Sequence, residues 1–91
     1  MSILKVYNPI DIEVDHGDGV YLYDTDGTRF LDFTSGIGVN CLGHSHPSLV
    51  NALKSQAEKI WHCSNLFKVS GQETVADKLV NNSFASNVFF C

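Results

Sequence analysis

Five residues of the types that bind zinc lie between positions 41 and 63 of this 91-residue chain: Cys41, His44, His46, His62 and Cys63. Zinc sites usually contain close ligand pairs such as C-x2-C or H-x3-H. Here C-x2-H-x-H is followed much later by H-C, which matches no standard set. We therefore assign no metal ligand and expect structural histidines, with a zinc-binding protein kept as an alternative. A nucleophilic His62-Cys63 dyad is not favoured, because chain neighbours rarely point at one another.

A glycine-rich loop is the most informative segment. The run Leu31–Pro47, LDFTSGIGVNCLGHSHP, carries three glycines in eight residues, at Gly36, Gly38 and Gly43. Such spacing marks a backbone that turns tightly or approaches another group closely. It is neither G-x-G-x-x-G nor a Walker sequence, so a nucleotide site is not expected. A tight connection is one interpretation, but we favour a loop that lines a ligand site, because loops on rigid elements often carry function.

Charge and cysteine content argue against several functional classes. Ten acidic residues outnumber six basic ones, and without a Lys/Arg cluster we expect no nucleic-acid binding. No run approaches the roughly 18 apolar residues of a membrane span, and the first ten residues do not look like a signal or transit peptide. Three widely spaced cysteines predict free thiols and a cytoplasmic protein. The early acidic residues are interpreted as solvated surface: Asp11, Glu13, Asp15, Asp18, Asp24, Asp26 and Asp32.

Three short antiparallel strands precede the loop. Alternation of apolar and acidic residues predicts a strand over residues 10–14, which the glycines of 16–19 interrupt. The runs Val20–Tyr23 and Arg29–Phe33 are aromatic and β-branched, and the Asp-Gly pair between them predicts a hairpin.

Two helices and a strand follow the loop. Pro47 suits the first turn of a helix, whose apolar stripe is Leu49, Val50, Leu53, Ala57, Ile60 and Trp61. A capping box from Ser70 to Glu73 predicts a second helix, with Phe84 closing its apolar face. The apolar residues Val88–Cys91 predict a buried strand. A strand in that position needs parallel neighbours, so we expect a fragment of a larger fold, cut after the first strand of a central sheet.

The order of motifs resembles the N-terminus of class III aminotransferases. The resemblance rests on the pattern G-x-G-V-Y-L-Y-D-x-D-G-x-R-x-L-D-F-x-S-G-I-x-V-N-x-L-G-H-x-H-P, followed by an L-V-x-A-L-x-x-Q helix and H-x-S-N-L-F. These are fold-type-I enzymes that use pyridoxal phosphate (PLP). The details S-G-I-G-V-N-C-L-G-H and W-H-C-S-N-L-F are most similar to the acetylornithine subgroup, which acts in arginine biosynthesis.

The resemblance implies a fragment of an α/β fold. Residues 1–45 would be the N-terminal β segment of the small domain, a three-stranded antiparallel meander. Residues 46–91 would be the start of the large domain, with two helices and a strand, truncated before the cofactor-binding turn. In the family that phosphate-binding turn, Ser/Thr-Gly-Ala/Val-Glu-Ala, follows the strand here read as Val88–Cys91.

The resemblance also implies that the chemistry lies elsewhere. The family's Schiff-base lysine, the aspartate that pairs with the pyridine nitrogen and the carboxylate-binding arginine all come later in the chain. We therefore assign no catalytic and no cofactor-binding residue here, since none of the lysines stands in the matching context: Lys5, Lys54, Lys59, Lys68 and Lys78. The implied cofactor is PLP, the implied partners are an amino-acid substrate and 2-oxoglutarate, and the complete family member is a homodimer.

The substrate-binding residues implied by the resemblance are Gly36, Ile37 and Gly38, near the substrate entrance at the dimer interface. Ornithine-using relatives carry a tyrosine where Ile37 stands, and the smaller side chain leaves more room for an acylated substrate. The Gly-His-x-His-Pro element is expected to be structural.

The function implied is amino transfer from N-acetylornithine to 2-oxoglutarate, giving N-acetylglutamate semialdehyde and glutamate. This chain on its own is expected to be inactive. Three alternatives remain open. The chain could be a non-enzymatic module that associates through Trp61, Phe84, Phe89 and Phe90, one piece of a split enzyme, or part of an ornithine or succinyldiaminopimelate aminotransferase.

Overall fold

Three antiparallel strands form the sheet of the computed structural model, which describes residues 2–91. The strands are β1 (Val14–Asp18), β2 (Tyr21–Asp24) and β3 (Arg29–Leu31), in the order β1-β2-β3. Each neighbouring pair is antiparallel, as the two-hairpin pattern predicts. The expected three-stranded meander is therefore confirmed.

The first strand lies further along the chain than predicted. Residues 10–13 form no strand, and the segment 16–18, predicted as a break, pairs with β2. The register shifts between Val14 and His16, so Asp15 has no opposite residue. The alternating pattern of residues 10–14 does not define the strand, because a strand also needs a partner. The two residues between β1 and β2, Gly19 and Val20, turn the chain so that β2 lies opposite residues 14–18.

The β2–β3 turn is held by one side chain. The Asp24 carboxylate accepts the backbone N–H of Asp26 at 3.0 Å and of Thr28 at 2.7 Å. Gly27 adopts φ 82°, which favours glycine, and donates its N–H to the Asp24 carbonyl at 3.0 Å. The Asp-Gly hairpin prediction is confirmed.

Two ring contacts join neighbouring strands. The His16 and Tyr23 rings stack with centroids 4.6 Å apart, and the Arg29 guanidinium carbon lies 4.4 Å from the Tyr21 ring centroid. Both contacts join residues that face each other or nearly so across the sheet, the arrangement in which side-chain pairs stabilise strand pairing.

The helices are α1, a single turn over Ser35–Gly38, α2 (Pro47–Ala57) and α3 (Gln72–Asn81). Pro47 begins α2 as predicted, but the helix ends before Ile60 and Trp61. The N-cap of α3 is Gly71, in the left-handed region, and makes no side-chain capping bond, so the predicted Ser70 capping box is wrong. Phe84 lies beyond the end of α3 and is fully exposed, so it does not close that helix's apolar face.

No strand forms over Val88–Cys91, in contrast to the prediction. A strand is defined by ladder hydrogen bonds to a neighbour. Among residues 2–91 the sheet contains only β1, β2 and β3, and none of them pairs with this segment. The apolar composition of the segment was thus insufficient to make it a strand.

The chain divides into two units, Met1–Lys59 and Ile60–Cys91. Within residues 2–91 no apolar residue is buried, and large apolar side chains are exposed in both units, including Phe33, Leu53, Phe84 and Phe89. The sheet and the helices therefore enclose no hydrophobic core of their own. None of the helices in residues 2–91 is both long enough and apolar enough to cross a membrane.

Candidate functional site

The predicted site residues lie together in α1, which is a left-handed turn. Four consecutive residues have positive φ: Ser35 at 51°, Gly36 at 60°, Ile37 at 65° and Gly38 at 78°. Glycine adopts this region freely, whereas an L-residue pays about 1–2 kcal/mol there. For the β-branched Ile37 the conformation is a true outlier, and such outliers concentrate at functional sites. The side chain of Ile37 is 95% exposed, so the turn presents it outward.

The carboxylate of Asp32 ties the start of this turn to the end of β3. Its Oδ1 accepts the Thr34 hydroxyl at 2.7 Å, the Thr34 backbone N–H at 3.0 Å and the Ser35 backbone N–H at 3.0 Å. Its Oδ2 lies 2.7 Å from Nε2 of His44. The side chain of Asp32 is only 5% exposed, so its interpretation as solvated surface is wrong.

These bonds keep Asp32 ionised. The Thr34 hydroxyl, the His44 ring and the Ser35 backbone N–H lower the pKa of Asp32 from 3.8 to about 2, and desolvation opposes them only in part. An ionised carboxylate can only accept hydrogen bonds, so Nε2 of His44 carries the proton and donates it. The one local signal for this site was the Asp-x-Thr-Ser sequence after a strand, which is typical of an Asx turn.

His44 is held by backbone as well as by its ring. Its N–H donates to the Gly19 carbonyl at 2.7 Å, and its carbonyl accepts the Gly19 N–H at 3.0 Å. Glycine is needed beside this bridge: a Cβ on Gly43 would lie 2.8 Å from the Gly19 carbonyl oxygen, and one on Gly17 would lie 2.5 Å from Cγ of His44. The His44 ring therefore rests directly on the backbone of β1.

A small cavity adjoins the Asp32–His44 pair. Its volume is about 210 Å³, and Val20, Ser35, Asn40 and Cys41 contribute to its wall. Small-molecule sites usually enclose roughly 300–1,000 Å³. The cavity is therefore too small to be a complete substrate site.

The zinc-type residues do not converge. Nδ1 of His46 accepts the Ser48 N–H at 3.3 Å and caps α2, which is a structural role. His44 instead pairs with the Asp32 carboxylate, and the Cys63 thiol donates to the Ser64 carbonyl at 3.8 Å. Across residues 2–91, no three His, Cys, Asp or Glu side chains are placed to hold one metal ion.

The described residues do not fit PLP. The five lysine side chains are exposed, and the first turn of α3 contains an acidic residue, Glu73, which would repel a phosphate at that helix N-terminus. The N-terminus of α2 is already capped by His46. Residues 2–91 therefore supply neither a lysine in a pocket nor a phosphate cradle.

Comparison with known proteins gives the family. The family model for class III aminotransferases matches residues 3–91. Acetylornithine aminotransferase 1 of Bradyrhizobium diazoefficiens is 52% identical over 89 residues, which are 98% of this chain and 22% of that protein. The acetylornithine aminotransferase of Mesorhizobium japonicum is 54% identical over 89 residues, with the same two shares. The chain thus spans about a fifth of the length of the curated relatives it matches.

Comparison with solved structures also indicates an aminotransferase. N-acetylornithine aminotransferase from Stenotrophomonas maltophilia superposes with a TM-score of 0.84 and 41% identity, over 93% of this chain and 24% of that one. Ornithine delta-aminotransferase from Plasmodium falciparum has a TM-score of 0.84 and 31% identity, and the match covers 92% of this chain and 22% of that one. The three-stranded sheet and helices are those of the N-terminal part of this fold. The chain belongs to the class III aminotransferases.

Proposed function

We propose that the chain is the N-terminal segment of an acetylornithine-type aminotransferase. Such an enzyme transfers the amino group of N-acetylornithine to 2-oxoglutarate, forming N-acetylglutamate semialdehyde and glutamate in arginine biosynthesis. The observation that carries the proposal is the identity of about half the residues, over nearly the whole chain, with several acetylornithine aminotransferases. PLP supplies the carbonyl and electron-sink chemistry of this family, and the part of this chain is to shape the substrate site.

The proposed substrate-binding residues are Gly36, Ile37 and Gly38. The left-handed α1 turn and the 95% exposure of Ile37 support this role, because the turn holds an apolar side chain outward at a conformational cost. An isoleucine occupies less space than a tyrosine would, so it leaves room for the acyl group of the donor. The three residues therefore form one wall of the substrate entrance.

The segment also has a proposed place in the complete enzyme. Residues 1–45 form the N-terminal β segment of the small domain, and residues 46–91 begin the large domain before the cofactor-binding turn. The enzyme is a cytoplasmic homodimer. The similarity to solved aminotransferases over more than nine-tenths of the chain supports this arrangement.

The experiment that tests the function is a chimera, in which this chain replaces the matching residues of the Bradyrhizobium acetylornithine aminotransferase 1. Amino transfer to 2-oxoglutarate is measured with N-acetylornithine, ornithine and succinyldiaminopimelate as donors. The expected result is activity within about tenfold of the parent, with N-acetylornithine preferred. A folded chimera that prefers ornithine or succinyldiaminopimelate assigns the chain to another class III aminotransferase.

The isolated chain is proposed to be inactive. Because residues 2–91 contain no lysine in a pocket and no phosphate cradle, we expect the purified chain to retain no stoichiometric PLP after desalting. Retention of one PLP per chain, together with amino-transfer activity, would disprove the inactivity.

A second candidate is an association module or one piece of a split enzyme. It is favoured by the lack of any buried apolar residue in residues 2–91 and by the exposed Phe84, Phe89 and Phe90. The test is co-expression of this chain with the part of the Bradyrhizobium relative that follows the matching residues. Recovery of amino-transfer activity supports a split enzyme, and a stable but inactive complex supports an association module.

A further inference from the structure

We infer that Asp32 and His44 are positioning residues that hold the α1 turn left-handed and so support the binding of the amino donor. The inference rests on the proposed function, because it takes Ile37 as part of the substrate site. Neither residue is placed in contact with the substrate. Both act through the backbone of Ser35–Gly38.

The first step is the link between the pair and the turn. The Asp32 carboxylate receives two backbone N–H groups, those of Thr34 and Ser35, and Ser35 is the first residue with positive φ. These bonds fix the direction in which the chain enters α1. The carbonyl of Ser35 accepts the Asn40 N–H at 3.1 Å, and this bond closes the loop at the C-terminal end of α1.

The second step is the link between the pair and the sheet. Oδ2 of Asp32 contacts Nε2 of His44 at 2.7 Å, and the backbone of His44 is bonded in both directions to Gly19. The side chains are 5% and 19% exposed, so water competes poorly for the contact. A continuous chain of hydrogen bonds therefore links β1 through His44 and Asp32 to the strained turn.

The third step is the energetic need for such a path. The left-handed region is sterically unfavourable for L-residues such as Ser35 and Ile37, and strain of this kind persists only when surrounding contacts over-determine it. The exposed side chain of Ile37 makes no buried packing that could offset the cost. The contacts that the structure shows around α1 come from Asp32 and from the loop itself.

The chain contains a matched control pair. Nδ1 of His16 lies 2.7 Å from Oδ2 of Asp15, the same separation as in the Asp32–His44 pair. These side chains are 59% and 60% exposed and lie on β1, away from α1. Asp15→Asn therefore changes an Asp–His contact of the same length that lies outside the turn.

The test uses the chimera described above, with His44→Ala, His44→Gln, Asp32→Asn and Asp15→Asn. We expect His44→Ala to raise KM for N-acetylornithine roughly tenfold, the effect of losing one hydrogen bond to a charged group, with kcat within about twofold. His44→Gln keeps a hydrogen-bond donor toward Asp32, so its KM for N-acetylornithine should return most of the way to the value of the unmodified chimera. Asp15→Asn leaves both constants unchanged.

Two further measurements keep the outcomes distinct. Gly17→Ala disturbs the same contacts from β1, because its Cβ would displace the His44 ring. It should therefore also raise KM for N-acetylornithine. A crystal structure of the His44→Ala chimera should show negative φ at Ser35 or Ile37. Unchanged φ values in that crystal structure, or an unchanged KM in both His44→Ala and Asp32→Asn, would overturn the inference. If the unmodified chimera lacks activity, the proposed function fails, and the crystal structure alone decides the role of the pair.

Discussion

At the residue scale, Asp32 shows how contacts decide the role of an acidic side chain. Its charge is one of ten negative charges in the chain, yet its carboxylate accepts three hydrogen bonds at one oxygen and contacts His44 at the other. Asp15 also contacts a histidine at 2.7 Å, but that pair is exposed. Surface pairs of this kind contribute little to stability, so the two aspartates differ in their surroundings although their histidine contacts have equal length.

The pH dependence of stability follows from the lowered pKa of Asp32. The folded pKa is about 2 and the ordinary value is 3.8, so the ionised group favours folding above pH 3.8, and this contribution is lost as the pH falls through 2. In the chimera, Asp32→Asn should lower the urea midpoint at pH 6, and the difference from the parent should shrink between pH 3.8 and 2. A difference that stays constant over this range would contradict the prediction.

The strain at Ile37 makes a second prediction at the residue scale. Ile37→Gly should stabilise the chimera by about 1 kcal/mol, because glycine adopts positive φ without the steric cost and the exposed side chain loses little burial. Val39 is the control, since it is β-branched and exposed but has φ −86°. Val39→Gly should destabilise by about 0.5–1 kcal/mol. Urea unfolding of both variants measures the change in the free energy of unfolding. Changes of the same sign in the two variants would count against strain in α1.

The same position tests the proposed role of Ile37 in the substrate wall. Ile37→Tyr should fill the space proposed for the acyl group, so kcat/KM for N-acetylornithine should fall by at least about tenfold relative to that for ornithine. Donor competition in the chimera measures this ratio. A ratio that does not change would remove Ile37 from the substrate wall.

At the element scale, the loop after β3 is held by close backbone approaches. The bridge between Gly19 and His44 is possible because Gly43, next to it, has no Cβ. Gly38 also has positive φ, 78°, but its missing Cβ would meet nothing within 4 Å. The two glycines therefore serve different needs: Gly38 serves conformation alone, whereas Gly43 serves conformation and close approach.

This difference can be measured with two matched alanine variants. Gly38→Ala should cost about 1 kcal/mol, the price of left-handed φ for an L-residue. Gly43→Ala should cost at least about 1 kcal/mol more, because its Cβ would lie 2.8 Å from the Gly19 carbonyl oxygen. Urea unfolding of the two chimeras gives the comparison. Equal costs would show that the Gly19–His44 bridge moves to accommodate the methyl group.

At the scale of the whole molecule, the exposed surface is the dominant property. The accessible surface is 8782 Å² for a mass of 10.0 kDa, whereas a folded monomer of this size exposes about 5,200 Å². The excess agrees with the lack of buried apolar residues in residues 2–91. Hydrophobic burial is the main favourable term in folding, so the native arrangement needs further surface to cover these side chains.

The isolated chain should therefore lack a cooperative unfolding transition. Heating should change its circular dichroism gradually, and the chain should bind the dye ANS, which reports exposed apolar surface. The chimera should unfold cooperatively and bind little dye. A sharp transition with a measurable heat-capacity change in the isolated chain would contradict this prediction.

Features whose causes lie within a few residues could be predicted from the sequence alone. Asp24 and Gly27 specify their hairpin turn, Pro47 begins α2, and the glycines at 36 and 38 mark the left-handed turn. Tertiary structure decided the pairings between distant residues. Asp32 reads as a surface acid until a histidine twelve positions later is brought to 2.7 Å. Likewise β1 takes its position from β2, and Val88–Cys91 forms no strand because a strand requires a partner as well as an apolar sequence.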